Sequence, residues 1–416
     1  MNRSAFGGQD TNLKWFEYRR LARAKFNVDV NLIVPQIAMY NHAFVCDHTV
    51  AFKEKAQAIA LKSFVSKQAL HALAAFLNSS TAGFWLKQVC FNKGPGKQGE
   101  HDRFEFSGNI LGNYTIPKAI WDDGHIQQYL ARLSQACADR GRLVASLNAA
   151  LLFSKPGEAY DNWYRGLKGY VPPHHLIATP FESRNDLIDN REKARNEGSR
   201  LINEMVALQE EIDWVTYAAC GLIPVDHSAL GIGIFPIERP WGLNPGHRAF
   251  ELALNSAGPP TEWEAPRRDL WARRLETIKE QADIASIEHS VFKRRWTEVN
   301  YEKEISQAFP EWLLEKAEFY LQHSVGGGPI SIDEWSAALW QDHRVKAAVF
   351  SLEGPQYNLK RFTQLLKKTV DRLTVPTDSS RVKTAHKQLR GKLNVPRERF
   401  RSHSDHFDVY SWAGKK

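Results

Sequence analysis

Leu201-Ile-Asn-Glu-Met-Val-Ala-Leu-Gln-Glu-Glu-Ile-Asp-Trp-Val-Thr-Tyr-Ala-Ala219 is the stretch on which the fold class turns. Leu201, Met205, Leu208, Ile212, Val215 and Ala219 alternate steps of four and three, the spacing of a helix with a narrow apolar seam. It reads as one helix of a packed helical hairpin, ended by Gly221. Upstream, Ile126, Leu130, Leu133, Cys137, Val144, Leu147 and Leu151 predict another helix from Asp122, and a Pro- and Gly-rich stretch, residues 155–180, separates the two. Downstream, residues 222–265 read as irregular, with Gly231-Ile-Gly233 as a turn. Arg267–Arg295, Glu311–His323 and residues 358–374 return to helix.

The N-terminal part has a different texture. Val28–Ala38, Phe44–Phe52 and Arg103–Leu111 carry the β-branched and aromatic residues of strands. Ser66 and Ser79–Ser80 stand where N-caps belong, ahead of helices over Lys67–Leu77 and Thr81–Phe91. The Gly-rich polar run Asn92–Asp102 is a loop. The expected class is α+β: an N-terminal mixed α/β domain over 1–120, a helical domain over 121–325 and, after the hinge Gly326-Gly-Gly-Pro329, a basic helical region over 326–416.

Charge is uneven over the 416 residues. Residues 1–120 hold 15 Lys/Arg against 8 Asp/Glu, and residues 326–416 hold 17 against 9. The middle holds 23 against 30. Basic ends point to a polyanion, most sharply in Gln356–Arg401, and the acidic middle is expected to be structural or to face protein. No apolar run approaches the ~20 residues of a membrane-spanning helix. Met1–Arg20 lacks the apolar segment of a secretory signal. Cys46, Cys90, Cys137 and Cys220 form no CxxC pair, so no disulfide framework is indicated and a cytoplasmic location is expected.

Several chemistries lack their motifs: no phosphate-binding G-x-x-x-x-G-K-[ST], no G-x-S-x-G and no H-E-x-x-H occurs. His42, Cys46 and His48 share one face if the segment is a strand, but ordinary packing is the expectation and no metal is assigned.

Six blocks, in order, resemble the PglX-type adenine-specific DNA methyltransferases of the BREX phage-defence system, relatives of type IIG restriction–modification enzymes. They are Ala75-Phe-Leu-Asn-Ser-Ser-Thr-Ala-Gly-Phe-Trp-Leu-Lys-Gln-Val89 with Ile37–His42 ahead of it; Gln209-Glu-Glu-Ile-Asp-Trp-Val-Thr-Tyr217 running to Gly221-Leu222; Arg248-Ala-Phe-Glu251; Ile287-Glu-His-Ser-Val-Phe-Lys-Arg-Arg-Trp296; Leu389-Arg-Gly-Lys-Leu-Asn-Val-Pro-Arg-Glu-Arg-Phe400; and Trp412-Ala-Gly414. In that family this region follows the methyltransferase domain. The family's catalytic signature is (Asn/Asp)-Pro-Pro-(Tyr/Phe), whose ring stacks on the flipped adenine. The Pro-Pro pairs here, Val171-Pro-Pro-His174 and Gly258-Pro-Pro-Thr261, lack both flanks.

The resemblance implies a target-recognition, DNA-binding half with no catalytic residues. S-adenosylmethionine would be held by a separate catalytic half, and the partners would be double-stranded DNA, that half and other BREX proteins, with no membrane. Candidate DNA contacts are Lys87, Asn92, Lys93, Lys97, His101 and Arg103 in the N-terminal domain, and Arg390, Lys392, Arg397 and Arg399 near the C-terminus. Phosphate contacts would give register and base-edge contacts sequence. A scaffold subunit of a defence complex and a truncated remnant without independent function are the alternatives.

Overall fold

A computed structural model of the chain describes residues 32–46, 56–61, 65–94, 102–147, 181, 183–233, 248, 250, 259, 261–296, 300–324, 330–371 and 406–407. The architecture is α+β, with small antiparallel sheets near the N-terminus and helices beyond. It forms two compact units, one from Met1–Arg142 and Leu201–Glu298, the other from Leu143–Arg200 and Val299–Lys416.

In the first unit, β1 (Leu32–Pro35) and β2 (Ile37–Ala38) are interrupted at Gln36, so the predicted strand Val28–Ala38 serves two sheets. β3 (Phe44–Val45) and β4 (Ala56–Ile59) flank β1, with Leu32 opposite Val45 and Ile59. The Ser66 hydroxyl accepts from the Ala69 N–H at 3.1 Å and caps α1 (Lys67–Asn78), whose residues Ala69–Leu77 are all buried. α2 (Ser80–Val89) follows at once, capped by Ser79. The Asn78 amide fixes this junction to the sheet, accepting from the Ala43 N–H at 2.6 Å and donating to the Ala43 carbonyl at 2.7 Å. β5 (Phe91–Asn92) and β6 (Phe104–Glu105) then form a hairpin, with β2 on the far side of β6.

The expected strand Arg103–Leu111 is shorter than its sequence suggests. Phe104 and Phe106 gave the strand signal. At Ser107 the chain turns, its N–H reaching the Glu105 carbonyl at 3.1 Å, and Gly108–Gly112 is a short helix, α3. α4 (Ala119–Asp122) and α5 (Gly124–Ser146) complete the N-terminal segment.

α6 (Arg184–Ala219) starts in the second unit and ends in the first. It is not the narrowly seamed helix that the spacing predicts: every residue from Met205 to Tyr217 is buried. α5 packs on its C-terminal half as a helical partner, sharing a core through Leu130, Leu133, Leu208, Ile212 and Val215 and pairing Arg140 with Glu204. The end at Gly221 is as expected. Gly221 takes a left-handed φ of 71°, and the Leu222 N–H reaches back to the Tyr217 carbonyl at 3.0 Å. Gly231 lies in a turn where a Cβ would come within 2.5 Å of Asp226 Cα. The single helix expected over Arg267–Arg295 is two, α7 (Ala265–Glu280) and α8 (Ala282–Ile287), because Gln281 is extended. Past α8 the chain turns back across α2.

Burial of α6 carries its carboxylates inside, where unpaired charge is costly. Asp213 accepts from the Ser80 N–H at 2.7 Å and the Ser80 hydroxyl at 2.6 Å. Arg248 bridges Glu210 at 2.8 Å and Asp213 at 2.7 Å. The Lys293 ammonium reaches Glu210, Asp213 and Glu288 at 3.1, 3.0 and 2.8 Å. Tyr217 donates to Glu288 at 2.7 Å, and Trp214 Nε1 to Glu210 at 3.2 Å. Beside this network Arg274 pairs with Glu211 at 2.6 Å and donates to the His227 carbonyl at 2.9 Å. Three carboxylates thus face two cations around Lys293. Burial pushes Glu288 up to about 7, although Lys293 opposes it. Burial acts on Asp213 the same way, but Lys293 and Arg248 outweigh it and hold that carboxyl below the ordinary range.

The second unit is helical: α9 (Tyr301–Ser324), α10 (Ile332–Leu339), α11 (His343–Leu352) and α12 (Leu359–Asp371) follow the first half of α6. β7 (Ile330–Ser331), just ahead of α10, pairs antiparallel with β8 (His406–Phe407), which follows α12 in the chain. Tyr301 donates to the Ala194 carbonyl at 3.0 Å and Trp335 Nε1 to the Ala317 carbonyl at 3.2 Å. Phe362, Leu366 and Val370 bury one face of α12. The hinge expected at 326–329 lies outside the described residues.

Two outcomes follow from the ionic network. Asp213→Ala leaves Arg248 and Lys293 with Glu210 as their one shared acceptor among the described residues and strips Ser80 of its partner, and is expected to cost about 3–5 kcal/mol, read from the urea midpoint. Glu288 holds a proton in the native state up to about pH 7, while in the unfolded chain it loses it near 4.5. Its contribution to stability therefore falls as pH rises across that window and is flat above it. Glu288→Gln removes that slope, so the difference in melting temperature between wild type and variant shrinks towards pH 5 and grows towards pH 8 in the variant's favour.

Candidate functional site

The hairpin formed by β5 and β6 brings together Asn92, Lys93 and Arg103 from the predicted DNA-facing set. Asn92 is exposed but its amide is engaged within the loop: its Nδ2 donates to Asp102 at 2.6 Å and its Oδ1 accepts from the Gly94 N–H at 2.6 Å. A Cβ at position 94 would collide with Asp102 Oδ1, so this loop base needs glycine. Lys93 is exposed and pairs with Glu105 at 2.9 Å, which also accepts from Gln36 at 2.9 Å. The bonds from Lys93 and Gln36 hold the Glu105 carboxyl below its ordinary range. The Arg103 side chain is exposed, while its carbonyl takes the Lys93 N–H at 2.6 Å. Lys97 and His101, between these two rungs, lie outside the described residues.

Lys87, on α2, is committed elsewhere. Its ammonium donates to the Val291 carbonyl at 2.5 Å and sits 4.6 Å from the Tyr40 ring centroid and 5.3 Å from that of Phe104. Burial pulls its pKa down to about 8, partly offset by Asp102. Lys87 thus tethers the turn after α8 to the sheet that carries the hairpin. Asn78, Ser79 and Ser80 act as a helix junction and cap, as their spacing suggests.

Arg390, Lys392, Arg397 and Arg399 lie outside the described residues. The basic C-terminal region is represented there by α12. Lys360, Arg361 and Lys368 are exposed on its solvent face and Lys367 is half-buried. Among the described residues none of the four makes an ion pair. The Asn358 side chain caps the helix by accepting from the Arg361 N–H at 3.1 Å. No acidic residue occupies the first turn of α12, so Lys360 and Arg361 stand at the positive end of the helix dipole. That placement opposes helix stability by about 0.3–1 kcal/mol per charge. The charge run was legible in sequence, but which of its cations pair with carboxylates was not.

Among the described residues no three His, Cys, Asp or Glu side chains converge as metal ligands. His42 lies edge-on to Phe44 with centroids 6.2 Å apart, and His48 lies outside the described residues. No helix among the described residues is long and apolar enough to cross a membrane. The described strands are short and pair antiparallel.

Residues 255–385 match the model of a domain of unknown function (DUF7008). The chain is 24% identical, across 96% of its length, to a Streptomyces coelicolor protein named adenine-specific methyltransferase PglX. The match takes in 37% of that relative, so the chain spans well under half of the relative's length. No solved structure matches. Over nearly all of its length, then, the chain is similar to one part of an adenine-specific methyltransferase.

Proposed function

We propose that these 416 residues are the DNA-gripping, target-recognition part of an adenine-specific DNA methyltransferase of the PglX type, acting in phage defence with a catalytic half that lies outside them. The observation that carries this reading is the similarity to PglX across 96% of the chain but only 37% of the relative. It is joined by the lack of any (Asn/Asp)-Pro-Pro-(Tyr/Phe) sequence in the chain.

The physical logic is one of separated tasks. Extracting an adenine from the duplex costs unstacking and unpairing, and the enzyme must hold the flanking backbone while the base leaves. Cations outside internal ion pairs serve that purpose best, because binding phosphate then disrupts nothing in the fold. Among the described residues Arg103 at the hairpin and Lys360, Arg361 and Lys368 on α12 meet this condition, and Lys93 comes close, its pair with Glu105 lying at the surface. Lys97, His101, Arg390, Lys392, Arg397 and Arg399 extend the same reading along the sequence. Lys87 belongs to the scaffold. Base-edge contacts would come from the loop between Lys93 and Arg103.

The purified chain is expected to shift duplex DNA at low salt, with log affinity falling linearly against log salt. Neutralising Lys360, Arg361 and Lys368 together is expected to flatten that slope by roughly 0.9 for each phosphate that these side chains engage. No shift at low salt overturns the DNA reading. Methyl transfer from radiolabelled S-adenosylmethionine by the chain alone overturns the division of labour.

Lys87→Ala and Arg103→Ala separate scaffold from interface. The first is expected to lower stability by about 1–3 kcal/mol by removing a charged hydrogen bond, seen as a drop in melting temperature. The second leaves melting unchanged and weakens DNA binding.

A further inference from the structure

We propose that Arg294 and Trp296 form a binding site for a phosphate group. This inference stands independently of the DNA reading, since the phosphate can belong to a polynucleotide or to a small phosphorylated ligand.

The turn that follows α8 is pinned at three successive residues. The Val291 carbonyl takes the Lys87 ammonium, the Phe292 ring meets the Phe84 ring edge-on at 4.8 Å, and Lys293 enters the ionic network. This fixes where Arg294 and Trp296 emerge. The Arg294 guanidinium lies over the Trp296 ring, 4.1 Å from its centroid. The Arg294 carbonyl faces Arg248 Nη1 at 3.5 Å, so a second arginine stands close behind.

What surrounds this pair defines its chemistry. Among the described residues the Arg294 guanidinium has no carboxylate and no hydrogen-bond acceptor. Glu210, Asp213 and Glu288, the nearby acids, are engaged by Arg248 and Lys293. The groups around Arg294 are Tyr40, Cys137, Arg248 and His42, and none carries a negative charge at neutral pH. Burial and then Arg248 lower the guanidinium to about 10, which leaves it cationic at neutral pH. Burial, reinforced by Arg294, depresses the His42 imidazole to about 3, so it is neutral and does not add to the charge. Trp296 Nε1 is itself buried with no hydrogen-bond partner.

A half-buried cation and an orphaned buried N–H on stacked side chains form a donor set awaiting acceptors. A tetrahedral oxyanion supplies them: two oxygens to the planar fork of Arg294 and a third to the indole N–H. Lys293 and Arg294, neighbours in sequence, thus have opposite roles, one neutralised inside the fold and the other left uncompensated among the described residues.

The test is thermal melting of the full chain in sodium phosphate, sodium acetate and sodium chloride at matched ionic strength. Phosphate is expected to raise the melting temperature above chloride at millimolar concentration, and acetate to fall short of it. Arg294→Gln is expected to weaken the apparent phosphate affinity at least tenfold and Trp296→Phe several-fold, while Arg268→Gln, at an exposed position of α7, behaves as wild type. Should Arg294→Gln fail to fold, Trp296→Phe, which keeps an aromatic ring and removes the N–H, carries the test. Equal stabilisation by phosphate and chloride, or phosphate shifts that both variants retain in full, overturns the site. Displacement of phosphate by duplex DNA assigns the group to a nucleic-acid backbone. Displacement by adenosine monophosphate alone assigns it to a small ligand, in which case the site stands even if the DNA reading fails.

Discussion

Burying a carboxylate is tolerable only when something charged is buried with it, and in the first unit that requirement organises the chain. Glu210 and Asp213 project from the fully enclosed part of α6, so Arg248 and Lys293 must arrive from two later segments to meet them. Ser80 must also present both its N–H and its hydroxyl from the junction of α1 and α2. Each contributor comes from a different stretch of sequence, and each stretch is one of the blocks on which the family resemblance rests. Apolar residues of similar volume can fill such a space as well, so the network is not by itself a source of net stability. What it does is join α2, α6 and the turn after α8 through charged contacts that each depend on the others' placement.

The same constraint gives the acidic middle of the sequence, expected to be structural or to face protein, its physical form. A charge count carries no information about which of its Asp and Glu residues are enclosed. Glu210, Glu211 and Asp213 lie at the core, neutralised by Arg248, Arg274 and Lys293. The narrow apolar seam is therefore a partial reading of α6. Its apolar positions are buried as the spacing requires, but so are the polar ones between them. Local signals do better wherever local chemistry decides: Ser66 and Ser79 cap the helices they precede, and Gly221 ends α6 in a left-handed conformation. The misses, the strand over Arg103–Leu111 and the continuous helix to Arg295, are places where aromatic content or periodicity runs on past a backbone turn at Ser107 or Gln281.

For the candidate site, proximity in sequence is enough to group Asn92, Lys93 and Arg103, since a hairpin keeps neighbours together. It is not enough to separate their roles. Lys87 looks in sequence like any basic residue on a helix, yet its ammonium is spent on a carbonyl 204 positions away. Asn92 similarly satisfies its own loop. The residues of α12 show the opposite case, where a charge run that is ordinary in composition becomes informative once the helix direction is known. Cations in a first turn are electrostatically misplaced for helix stability, which the composition of the run does not reveal.

A consistent criterion emerges for reading a basic protein of this kind. Net charge per segment mixes two populations: cations that neutralise buried acids, and cations that stand outside such pairs. Only the second population can take up phosphate without an internal cost, because removing a cation from a buried pair strands the remaining charge. Arg248, Arg274 and Lys293 belong to the first group by geometry, whatever the charge of the sequence around them. Among the described residues Lys360, Arg361, Lys368 and Arg294 belong to the second, three of them exposed on one helix and one half-buried against an indole ring. The distinction cuts between residues 293 and 294, adjacent and both cationic, and it is set by which of the two the turn after α8 directs into the carboxylates.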